Sequence, residues 1–170
     1  MRWVSDLRSA PPPALSRADH VRGDASWPLV LLYADFTCPR CALATERLRA
    51  AELRVAFRHF AIAAKHPRAV ALACAAEAAA EQGRFWELHD ALFADHGRFD
   101  DPHLWAHVRA LGLDLDRFER DRRSPAVGER VREQTRSGMR AGLAVTPTLI
   151  ADGTIFPGAP DAELIARLTG

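Results

Sequence analysis

The chain has 170 residues, 48% of them hydrophobic and 26% charged, a balance that suits one folded domain and excludes a largely disordered chain. Its formal net charge is +1 and Lys65 is the sole lysine among 23 basic residues, so no global field draws it to nucleic acid or to an anionic membrane. Three cysteines are too few for a disulfide scaffold.

Residues 1–26, with Pro11-Pro12-Pro13 among polar neighbours, read as an N-terminal arm or a weak edge element. No apolar stretch there resembles the core of a signal peptide, and the run from Leu29 to Ala34 is too short to span a bilayer. The expected location is cytoplasmic. Leu29-Val30-Leu31-Leu32-Tyr33 is a continuous apolar run, the pattern of a strand buried on both faces. It breaks at Asp35-Phe36-Thr37, and Cys38-Pro39-Arg40-Cys41 opens a helix reaching about Ala51, with Pro39 in the first turn where proline is tolerated. Leu53 to Phe60 alternates apolar and polar residues, as a second strand would. Strand, helix and strand in this order predict a βαβ unit with a parallel pair.

From about Pro67 to Gly142 the pattern is helical. Ala69 to Ala80 holds eight alanines, with Gly83 as a stop. Phe85, Leu88 and Leu92 form the next apolar stripe. Asp101-Pro102 reads as an N-cap and first helical proline, with Gly112 at the other end, and Ser124-Pro125 repeats the device for a helix to Gly142. Thr148–Ala151 and Thr154–Phe156 flank Asp152-Gly153, a type I′ hairpin signal. A closing helix covers about Asp161 to Leu168.

Two cysteines separated by two residues at a strand-to-helix junction carry specific chemistry. The first sulfur lies at the helix N-terminus, where free N–H groups and the macrodipole favour an anion, and Arg40 adds positive charge. Cys38 is therefore expected to have a depressed pKa and to attack. Cys41, one turn further in, would resolve the mixed disulfide. A lone C-x-x-C can also be half of a zinc site. The candidate partners, His103 and His107, are separated from Cys41 by 61 residues or more, against the dozen or so of a compact finger, and a solvated helix face explains them more simply. Cys74 reads as a small buried hydrophobe.

Tyr33-Ala34-Asp35-Phe36-Thr37-Cys38-Pro39-Arg40-Cys41 resembles the active-site stretch of DsbA-like proteins of the thioredoxin superfamily. Phe57-Arg58-His59-Phe60 with His66-Pro67, the segment Gly83 to Asp90, and Val145-Thr146-Pro147-Thr148 resemble further parts of that family in the right order, across about residues 19–168. The resemblance implies an α/β, thioredoxin-like fold with a helical insertion between the second strand and the cis-proline strand. Its parts would be an arm (1–26), a first half of the core (27–65), the insertion (66–142) and a second half (143–170).

It further implies a thiol–disulfide oxidoreductase with Cys38 and Cys41 as the redox pair and no cofactor beyond them. Pro39 and Arg40 would tune the pKa. Thr146 and Pro147, the latter after a cis bond, would receive an extended substrate by strand addition. Expected partners are protein or peptide thiols and disulfides, with glutathione or a thioredoxin-type protein as reductant, and neither nucleic acid nor membrane. Phe36, Ile62 and Phe156 are candidate apolar contacts, each equally suited to the core. Relatives often carry a buried glutamate where this chain has Leu32, a change expected to favour the Cys38 thiolate. Similar domains occur appended to sodium/proton antiporters, whereas this chain, lacking a membrane segment, is expected to stand alone. A redox-sensing module and a glutathione-dependent transferase or isomerase are the alternatives on the same fold.

Overall fold

A computed structural model describes residues 10–170; residues 1–9 of the expected arm lie outside the described residues. A short strand, β1 (His20–Arg22), precedes the βαβ unit of β2 (Leu29–Ala34), α1 (Pro39–Arg49) and β3 (Arg54–His59). Five helices follow: α2 (Ala69–Ala80), α3 (Phe85–Ala94), α4 (Asp101–Ala110), α5 (Leu115–Asp121) and α6 (Pro125–Arg140). The chain closes with β4 (Thr148–Ala151), β5 (Thr154–Pro157) and α7 (Ala162–Thr169). The sheet order is β1-β3-β2-β4-β5. Only β2 and β3 run parallel, in the register Leu32↔Phe57; the other pairs are antiparallel. This is a thioredoxin-like α/β fold with its helical insertion between β3 and β4.

Strand alternation divides β2 between two cores. Val30, Leu32 and Ala34 enter the larger one, shared with α1 and the insertion. Tyr33 faces the other side with Phe60, Leu143 and Ile150, where α6 packs. Gly138 makes that approach possible, because a Cβ there would lie 2.7 Å from Cδ2 of Phe60. Full burial of apolar side chains this size contributes about 1.5–3 kcal/mol each.

The structure departs from the simple reading of β3. Arg58 and His59, polar in an alternating pattern, are 3% and 1% exposed, so polarity there does not mark a solvent face. Arg58 is satisfied by Asp19 at 2.7 Å and by the carbonyls of Pro13 and Ala14, which ties down the arm that a Pro-rich composition leaves undetermined. Asp19 is held below the usual carboxylate range because the Arg58 bonds outweigh its burial. Residues 20–22 take the edge-strand option.

Two further corrections concern caps. The N-cap of α4 is Asp100, whose carboxylate accepts the His103 N–H, while Asp101 is already helical and pairs with Arg68 and Arg122. Helix α5 is unanticipated: Asp114 caps it through the Arg117 N–H, and Phe118 alone is buried, too little periodicity to show in one turn of pattern. The Asp152-Gly153 hairpin has the positive φ angles, 46° and 75°, that a type I′ turn needs.

Candidate active site at the N-terminus of the first helix

Strand β2 ends at Ala34, and the next three residues form a braced loop. Asp35 Oδ1 accepts both the Thr37 N–H and the Thr37 hydroxyl at 2.8 Å, and the Asp35 carbonyl accepts the Cys38 N–H. That brace delivers Cys38 to the N-cap of α1 in an extended conformation, with Pro39 following at the first helical position where its missing N–H costs nothing. Opposite stands the Thr146-Pro147 bond, which is cis. Its loop is fastened by Thr148 Oγ1 donating to the Val145 carbonyl and by Gly158 N–H donating to the Pro147 carbonyl. Cys38 Sγ lies 3.5 Å from the Thr146 carbonyl oxygen. Cys38, Cys41, Thr146 and Pro147 thus converge on one site.

The two sulfurs differ sharply. Cys38 is partly exposed and its pKa is lowered to about 5. The largest cause is a hydrogen bond from the Cys41 thiol, which outweighs partial burial; Thr146 and the N–H groups of Cys41 and Arg40 add to it. The Cys38 side chain makes no capping hydrogen bond, and the Cys41 N–H also donates to the Cys38 carbonyl at 3.0 Å, so these N–H groups act on the sulfur as helix-terminal dipoles. Cys41 is fully buried, and burial followed by the neighbouring Cys38 pushes its thiol far above the ordinary range. Its sulfur accepts the Asp35 N–H at 3.5 Å.

The expected roles of Pro39 and Arg40 need refinement. Pro39 sets the helical entry but has no N–H to give. Arg40 acts through its backbone; its exposed guanidinium extends beside Gly158. Leu32 is buried in the same core as Cys41, so no carboxylate occupies that position. Phe36 is 1% exposed, a core residue stacked on Phe57 rather than a substrate contact. Ile62 and Phe156 are half-buried against the cores, whereas Leu43 of α1 and Val145, next to Thr146, are exposed apolar side chains. His103 turns to Asp100 and His107 to Asp95.

Behind Phe36 lies a polar cluster that pattern reading missed. Glu77, fully buried in α2, accepts from His20 at 2.8 Å, His59 at 2.9 Å and Arg130 at 2.6 Å. His89, 1% exposed, bonds Asp90, which also holds Arg22. The usable signal is a single acid inside an alanine helix, which is tolerated only when paired.

The depressed thiol pKa makes a direct prediction. Alkylation of Cys38 by iodoacetamide should follow a titration with a midpoint near pH 5, reacting fully above it and losing reactivity as pH falls through it. A midpoint near the ordinary thiol value of about 8.5 would contradict the geometry.

A family model described as a DSBA-like thioredoxin domain matches residues 63–169; that span includes Thr146 and Pro147 and begins after the cysteine pair. Among curated relatives, the Na(+)/H(+) antiporter NhaA of Herminiimonas arsenicoxydans is 37% identical over 98% of this chain and 28% of its own length. NhaA 1 of Mycolicibacterium vanbaalenii is 38% identical over 88% of this chain and 26% of its own. The chain therefore spans about a quarter of these relatives, and no helix among the described residues is long and apolar enough to cross a membrane. A thioredoxin-like oxidoreductase from Silicibacter pomeroyi superposes with a TM-score of 0.81 at 22% identity, covering 90% of this chain and 91% of that one. BdbD from Bacillus subtilis does so at 0.78 and 15% identity, covering 94% of each.

Proposed function

Because the chain belongs to the DSBA-like thioredoxin domain family, we propose that it is a thiol–disulfide oxidoreductase that exchanges a dithiol for a disulfide at Cys38 and Cys41. The observation that carries this reading is the asymmetry of the two sulfurs: one partly exposed and lowered to about 5, the other fully buried and raised. That is the division of labour exchange needs, since the attacker must be a thiolate in contact with substrate and the resolver must wait behind it.

In the reducing direction, the Cys38 thiolate bonds to one sulfur of a substrate disulfide and the other substrate sulfur leaves with the electron pair. Cys41 then loses its proton and bonds to Cys38 Sγ, and the second substrate sulfur departs. The substrate gains two electrons and the pair becomes a disulfide. Oxidation runs the same steps backwards. No cofactor enters. Thr146 and Pro147 sit where an extended peptide would lie, and the substrates are protein or peptide thiols and disulfides, with glutathione or a thioredoxin-type protein closing the cycle.

Direction follows from the thiolate. Stabilising it favours the dithiol and makes the disulfide the better oxidant; no buried acid at Leu32 opposes that. In a cytosol poised at roughly −220 mV or lower, such a pair is drawn to the dithiol and serves as reductase or isomerase.

Cys41→Ser is the test. Mixed with a disulfide-bonded peptide, this variant should accumulate a stable one-to-one mixed disulfide at Cys38, seen as an intact mass shift. Sustained turnover in Cys41→Ser would instead indicate a glutathione-type mechanism that needs one cysteine.

A further inference from the structure

The contact between Cys38 Sγ and the Thr146 carbonyl marks where a substrate sulfur arrives, and a cation stands on each side of it. On one side is Lys65. Its turn is closed by the Lys65 and His66 N–H groups, which donate to the Ile62 carbonyl at 2.9 and 3.3 Å, and Ile62 packs on the core that holds Leu143. From that turn Lys65 Nζ donates to the Ala144 carbonyl at 3.3 Å, two residues before Thr146. The side chain is exposed, and an ammonium with three protons has donors left over.

On the other side is Arg40, also exposed. Its Nη2 lies 3.7 Å from where a Cβ on Gly158 would stand, and the Gly158 N–H donates to the Pro147 carbonyl at 2.8 Å. The two cations therefore bracket the cis-proline loop, one at its Ala144 end and one at its Pro147 end.

Neither side chain enters an ion pair among the described residues. The arginines of α6 differ: Arg132 and Arg136 pair with Glu129 and Glu133 on their own helix. Asp35, three residues before Cys38, is 7% exposed and occupied by Thr37. With a net charge of only +1, the chain has a local positive rim here without a global field.

An extended peptide rises about 3.3 Å per residue, so a residue two positions from the reacting cysteine is about 7 Å away, the same two-residue step that separates Ala144 from Thr146. A carboxylate at that distance meets the Lys65 ammonium on one side. On the other it meets the Arg40 guanidinium, whose fork can bind it through two parallel hydrogen bonds.

We propose that Lys65 and Arg40 select acidic protein substrates, in which carboxylates flank the reacting cysteine on both sides. The inference rests on the reading of Cys38 and Cys41 as the redox pair, and it names the substrate class of that site. Both side chains bind the flanks of the substrate and take no part in the transfer of electrons between sulfurs.

The test uses two peptide disulfides that differ only two positions before and after each cysteine, with Glu in one and Gln in the other; oxidised glutathione is run alongside. Each rate of reduction by the protein is divided by the rate with dithiothreitol, which removes the peptides' own reactivity. The wild type should prefer the Glu peptide about fivefold, as two exposed ion pairs allow, and the preference should fade as salt is raised. Lys65→Met and Arg40→Gln should each lower it about two- to threefold; the ratio between peptides cancels any change in Cys38 itself. Lys65→Arg should retain the preference and Lys65→Glu should turn it toward the Gln peptide. Arg109→Gln removes the same charge from α4, which packs on α3 and α5, and should leave the preference in place.

No preference in the wild type, a preference that survives Lys65→Met, or an equal loss in Arg109→Gln overturns the selectivity and leaves the redox pair standing. A loss confined to oxidised glutathione, which also carries a carboxylate on each side of its cysteine, overturns the assignment to protein substrates. A wild-type protein that reduces neither peptide overturns the redox pair, and the selectivity with it.

Discussion

Cys38→Ser should reduce thiol–disulfide exchange to the uncatalysed level, with neither remaining cysteine able to take over. Cys41 is fully buried and its thiol is raised by that burial, so it presents neither thiolate nor access. Cys74 is 8% exposed, packed among Ala69, Ala73, Val127 and Val131, and raised by burial and then by Glu77. A serine hydroxyl at position 38 keeps the shape of the helix N-cap, so the variant should fold and melt like the wild type. Reduction of a protein disulfide by the purified variant measures the effect. Exchange persisting in Cys38→Ser would move the chemistry to another sulfur.

The largest expected loss of stability is at Glu77. Its carboxylate collects hydrogen bonds from His20, His59 and Arg130 inside the protein. Burial opposes its charge, but the bonds from His20 and His59 outweigh it and hold Glu77 far below its ordinary value of 4.5. Glu77→Ala leaves the His59 Nε2–H, in a ring 1% exposed, with no acceptor. Breaking a buried pair from one side costs about 3–5 kcal/mol; in a chain this long each kcal/mol moves Tm by about 2–4 °C, so a fall of about 6–20 °C is expected. The sign with pH follows from the depressed native pKa: the contribution is complete above the unfolded value and is lost only as pH falls below the usual carboxylate range. Thermal melts at pH 7 should separate Glu77→Ala clearly from Glu87→Ala, whose exposed pairing with Arg84 should matter little. Equal melts would show that the cluster behind Phe36 does not hold the insertion to the sheet.

Both variants bear on what could be read from residues alone. The strand-to-helix junction at Cys38, the hairpin at Asp152-Gly153 and the cap at Ser124 were legible because each is local: the chemistry lies within a few residues. The burial of Arg58, His59 and Glu77 was not, because His59 and Glu77 pair with each other across 18 residues and their other partners, Asp19, His20 and Arg130, lie between 39 and 57 residues away. Phe36 read equally well as rim or core, and only the ring stack with Phe57 decides between them. The one local failure is the N-cap at Asp100, where two adjacent aspartates compete and Pro102 fits either the first or the second helical position.

The equilibrium of the purified protein against graded glutathione buffers, read by thiol-alkylation mass shifts, tests whether Cys38 and Cys41 are the working redox pair. With the attacking thiol near 5, between thioredoxin at about 7 and DsbA at about 3.5, a single reversible two-electron transition should appear between about −270 and −120 mV. It should be absent in Cys38→Ser. No reversible transition in that window, or one that survives Cys38→Ser, would contradict the assignment of Cys38 and Cys41 as the working redox pair.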